Sequence, residues 1–113
     1  MPLVKGETGE RPARGEERGL DAWLGDLRDA RPEVRREAAV ALEAWPEAAL
    51  DIAARLSVED DPEVRSALAI PLLAHPSPEL ARRLAEIVRS DDPARRTLAV
   101  DLLRQMPPAC AEV

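Results

Sequence analysis

ARPEVRREAAVAL at residues 30–42 and DPEVRSALAIPLL at residues 61–73 are two copies of one pattern, and a weaker third copy, DPARRTLAVDLL, occupies residues 92–103. Each copy places a proline three residues before an arginine: Pro32 and Arg35, Pro62 and Arg65, Pro93 and Arg96. A second proline series, Pro46, Pro76 and Pro107, keeps the same intervals of 30 and 31 residues. Self-similarity with a period in this range is the signature of stacked supersecondary units, none of which can bury its apolar face alone. The repeat therefore predicts an all-α solenoid of three antiparallel helix pairs.

The helices follow from local chemistry on either side of these prolines. Proline suits the first turn of a helix, where its missing N–H would have had no intrahelical partner, and it stops a helix from the other side. Leu20, Trp23, Leu24 and Leu27 stand at i, i+3, i+4 and i+7, one face of a first short helix. A second helix is predicted from Pro32 to about Trp45, with Val34, Ala38, Ala41, Leu42 and Trp45 within about 80° of one another on a wheel of 100° per residue. Glu47–Leu56 and Pro62–His75 make the next pair, and a segment from Pro78 to about Val88 with one from Pro93 to before Met106 makes the third. Asp61 and Ser77 are expected to cap their helices. Pro71, inside a predicted helix, predicts a kink between Ala67 and Pro71.

Composition bounds the chemistry. All five glycines fall within the first 25 of the 113 residues, and there is no Tyr or Phe, so aliphatic side chains must make the core. Residues 1–19, MPLVKGETGERPARGEERG, hold almost nothing to bury and read as a disordered N-terminal arm. Residues 20–106 read as the repeat domain, with units at about 20–45, 47–75 and 77–106, and residues 107–113 as a short tail. The formal charge of −6 sits on the helical part and disfavours nucleic acid and anionic lipid as partners. No apolar run is long enough to span a bilayer, and the first 20 residues lack the apolar centre of a signal peptide, which predicts a cytoplasmic protein. The single Cys110 fits a reducing compartment.

The three copies resemble the Asp-Pro-x-Val-Arg core of short HEAT repeats, the subclass also found in phycobilisome lyases, over about residues 20–106. In that family the loop aspartate and the helix arginine stack as a ladder between neighbouring units. The resemblance thus implies structural rungs at Arg35, at Asp61 with Arg65, and at Asp92 with Arg96. Arg31 departs from the pattern at the aspartate position of the first copy, and Arg95 at the valine position of the third. The resemblance also implies a right-handed superhelix whose second helices line a concave surface.

On that surface the matching positions are Arg36, Val40 and Glu43, then Ser66, Ile70 and Leu73, then Thr97, Asp101 and Arg104. Val40, Ile70 and Leu73 form an apolar strip between the polar residues Arg36, Glu43, Ser66, Asp101 and Arg104, the composition of a protein contact site. The competing reading has Ile70 and Leu73 covered by curvature or by the N-terminal arm. His75 ends a helix, where a positive charge is favoured, and Trp23 and Trp45 fill one volume of the first unit. With one Cys and one His the only conceivable metal site is an all-carboxylate one from Glu59, Asp60 and Asp61 or from Asp91 and Asp92, acids better explained as caps, and the serines have no partnered base. The expected function is a non-catalytic protein-interaction module or adaptor, without cofactor or metal, binding a peptide, a helix or another copy of itself as a homo-oligomer. The alternative is a HEAT-like lyase or chaperone subunit for a chromophore, or a nucleic-acid-processing protein.

Overall fold

The computed structural model describes residues 18–111, and within them every regular element is helical. In chain order these are α1 (Leu20–Asp26), α2 (Pro32–Ala41), α3 (Ala49–Leu56), α4 (Pro62–Ala74), α5 (Pro78–Ile87), α6 (Pro93–Gln105) and α7 (Pro108–Ala111). Two 3₁₀ turns, Leu42–Ala44 and Pro46–Ala48, lie between α2 and α3. The expected helix up to Trp45 thus tightens after Ala41, and Trp45, with φ −119° and ψ 96°, is the extended residue that Pro46 demands before it. The disordered arm expected over residues 1–19 lies, except for Arg18 and Gly19, outside the described residues.

Proline opens α2, α4, α5 and α6. Asp61 accepts hydrogen bonds from the N–H groups of Glu63 and Val64, Asp92 from those of Ala94 and Arg95, and Ser77 from that of Leu80. These side chains satisfy donors that the first turn leaves without partners. Arg31, which replaces the aspartate before Pro32, supplies no such cap. α4 continues helically to Ala74 through Pro71, whose ring is fully buried. The bulk of that ring therefore serves the core.

α2 lies on α4 and α4 on α6, α3 lies on α5, and α1, α3 and α5 each pack on the helix that follows them. Ala38 and Ala39 of α2 are fully buried, and small side chains of this kind let packed helices approach closely. Ala41, a second small residue of the expected stripe, is half-buried. Leu42, Ile52, Leu56, Leu68, Leu72, Leu80, Leu84 and Leu102 fill the interior as one continuous cluster. Truncating any of them to alanine removes about 2–5 kcal/mol. The sequence reading ends the folded part near residue 106, whereas the chain adds α7, which packs on α5 and buries Met106 and Cys110.

Candidate functional site

The outer face of α2 and α4 exposes Val40 and Ile70, two of the three apolar residues expected to form a strip. Val40 is 53% exposed and Ile70 49%, both large apolar side chains in water. Together with Arg36, Val34, Ala41 and Ala67 they line one open groove between the two helices, which Trp23 of α1 also lines. Glu33 and Glu37 stand at the same groove, and the exposed Arg36 bonds Glu63 Oε1 across to α4 at 2.7 Å. The other expected strip residues lie outside this lining. Leu73 is half-buried against the core, and Glu43, Ser66, Asp101 and Arg104 are exposed elsewhere.

Trp23 is the groove residue that the sequence reading missed. It is 1% exposed, its indole N–H is buried without a hydrogen-bond partner, and the Arg18 guanidinium stands 4.2 Å from the ring centroid. Arg18 also bonds Asp26 at 2.7 Å. Trp45, expected to share its volume, is only partly buried. His75 is held by a specific bond: its Nε2 lies 2.6 Å from the carbonyl oxygen of Glu43, to which it must donate.

The arginines that recur after the prolines take no part in this groove. Arg35, Arg65 and Arg96 each donate to the carbonyl oxygen of the residue three before their own proline: Asp29 at 2.8 Å, Glu59 at 2.7 Å and Ser90 at 2.8 Å. The side chains of those same three residues accept the N–H two residues on, from Arg31, Asp61 and Asp92. Each loop is thus closed on itself by one arginine and one side-chain acceptor.

Between units the first two arginines reach forward. Arg35 holds Glu59 with two parallel bonds, at 2.8 and 2.9 Å, and Arg65 holds Asp92 at 2.6 Å. The pairs inferred from the resemblance are therefore redistributed. Asp61 serves as a helix cap, and Arg96 bonds a backbone oxygen and is exposed. Arg95 sits at the valine position yet is buried, reaching back to the carbonyls of Leu56 and Glu59 and to Asp60.

Glu59 is the centre of this network, fully buried and shared by Arg35, Arg55 and the Asp61 N–H. Burial pushes its carboxyl pKa up, and the bonds from Arg35 and Asp61 with the charge of Arg55 outweigh that, leaving it below its ordinary value. The Arg65 bond likewise holds Asp92 below the usual range, while the half-buried Asp29 is lowered to about 2 by its bonds from Arg31. Arg35 and Arg65 spend their donors on carboxylates and carbonyls, which ties neighbouring segments of the chain together.

Among the described residues no cluster of three or more His, Cys, Asp and Glu could hold a metal ion, and no helix is long and apolar enough to cross a membrane. Comparison with protein-family models, curated proteins and solved structures finds no significant match.

Proposed function

We propose that the chain is a non-catalytic interaction module, a short HEAT-like solenoid over about residues 20–106 that presents the α2–α4 face to a protein partner. The observation that carries this reading is the pairing of Val40 and Ile70, two half-exposed aliphatic side chains on neighbouring helices in one groove. An apolar centre rimmed by Arg36, Glu33 and Glu37 has the composition of a contact surface. The solenoid reading is supported by the order of helix contacts and by the loop bonds that recur at Asp29, Glu59 and Ser90. The groove accommodates a peptide or a helix from a partner, or the same face of a second copy. A reducing, cytoplasmic setting fits the lone Cys110.

The test replaces both centres of the strip. Val40→Asp with Ile70→Asp should lower stability by less than about 1 kcal/mol, because both side chains already face water. A photo-crosslinking residue placed at the exposed Glu33 of the groove should capture a protein in cells that express the otherwise unaltered chain and lose it in the double variant. Adducts that persist in the double variant, or a double variant that fails to fold, would overturn the reading.

A further inference from the structure

A second site lies on the other row of helices, where α3 and α5 run side by side before their loops. A hollow of about 350 Å³ opens there, with Ala53, Ala54 and Ile87 as its apolar floor. Three guanidinium-bearing residues, Arg83, Arg89 and Arg95, line it against a single carboxylate, Glu86. We propose that this hollow binds a small organic oxyanion, a carboxylate or phosphate head on a short aliphatic body.

Local charge supports the assignment on a chain whose formal charge is −6. Asp60 and Asp92 face Arg65 and Arg95, and Glu59 alone faces both Arg35 and Arg55. Neither Arg83 nor Arg89 has an ion pair among the described residues. Positive charge is therefore in surplus here. Arg95 is anchored through Nε and Nη2 on Leu56, Glu59 and Asp60, which leaves Nη1 with only Asp92 Oδ2 at 3.8 Å, beyond hydrogen-bond reach. A guanidinium so fixed presents its remaining donors without further loss of side-chain freedom.

The ends of α3 and α5 would repel an anion if their last carbonyls were bare. They are not. Ser57 Oγ donates to Ala54 O at 2.6 Å, Arg95 covers Leu56 O, and the Ser90 N–H covers Ile87 O at 2.9 Å. Ser90 Oγ already accepts the Asp92 N–H, so its own hydroxyl hydrogen is a further donor at the rim of the hollow. Guanidinium and hydroxyl donors above an aliphatic floor match an acidic head on a short alkyl chain.

The probes are butyrate and butyl phosphate, with butanol as the uncharged control, each titrated into the full chain at low ionic strength and followed by amide chemical shifts. Saturable shifts at Ser57, Arg89 and Ser90 with either anion are expected, and the stronger of the two identifies the head group. Arg83→Gln and Arg89→Gln are exposed changes that should leave the melting temperature unchanged while weakening binding on the order of tenfold each, as loss of one charge-assisted bond predicts. Equal binding by butanol, unchanged affinity in both variants, shifts spread evenly to Arg28, Arg82 and Arg104, or no shifts at all would each overturn the assignment.

Discussion

The loop before Pro62 and the loop before Pro93 are built from the same backbone bonds and do different work. In both, the residue three before the proline accepts an N–H two residues on and lends its carbonyl to the arginine three after. In the loop before Pro93 that residue is Ser90, whose short hydroxyl ends its reach within the loop. In the loop before Pro62 it is Glu59, whose longer side chain carries a charge into the interior, where Arg35 and Arg55 meet it. One side-chain length thus separates a local turn from a junction between units. A buried carboxylate is tolerated only with its lone pairs filled, and here they are.

The comparison breaks most decisively at Glu59. Glu59→Gln keeps the shape and one acceptor for the Asp61 N–H but removes the charge that Arg35 and Arg55 share. Removing one partner of a buried ion pair costs about 3–5 kcal/mol. Arg35 and Arg55 keep partial access to water, so the lower end of that range is expected, read as a fall in the urea midpoint. Ser90→Ala should stay within about 1 kcal/mol, since it loses one neutral bond. Equal losses in the two variants would mean that the charge contributes nothing beyond loop closure.

Arg65→Ala comes next. It removes one of the two donors to Glu59 O and the charge-assisted bridge to Asp92 together, and a loss of about 1–3 kcal/mol follows from those two bonds. Arg95 still covers Glu59 O at 2.7 Å, which caps the loss. An Arg65→Ala variant that matched the parent chain in thermal melting would show that Arg95 alone closes the middle loop.

Acid should reveal the same asymmetry. The carboxyls of Glu59 and Asp92 are depressed in the folded chain, so the unfolded state binds their protons more readily. Their contribution is complete above the ordinary values of 4.5 and 3.8 and declines as the pH falls below them toward the lower folded values. Unfolding free energy measured from pH 6 downward should therefore fall below about pH 4.5, and Glu59→Gln should flatten that decline. A variant with an unchanged acid slope would remove Glu59 from the account.

Much of this architecture is legible in the sequence. Pro32, Pro62 and Pro93 mark helix starts because only the first turn accepts a residue without an N–H, and Leu42, Leu72 and Leu84 announce the core by their spacing. The partners of the arginines are not legible, because the pairing depends on side-chain length across units rather than on position in the repeat. Glu59, set among acids at 59–61, reads as one more solvated turn residue, though the apolar Val58 before it is exposed and Glu59 itself is not. At the groove, Val40 and Ile70 were visible as apolar residues on a polar face. Trp23 was not, since a tryptophan at core spacing gives no sign that it also lines a groove with two later helices.

Arg96 offers the smallest and most discriminating change. It holds the same repeat position as Arg35 and Arg65, but it bonds only Ser90 O and lies in solvent, with no acid of a following unit to reach among the described residues. Arg96→Ala should shift stability by no more than about 0.5 kcal/mol, the usual range for a surface substitution. The Arg65→Ala loss would then be attributable to what Arg65 does between units and in the interior, because loop closure is common to both residues. If Arg96→Ala instead matched Arg65→Ala in urea, the arginine three residues after each proline would act chiefly by closing its own loop, and the forward bond from Arg65 to Asp92 would be incidental.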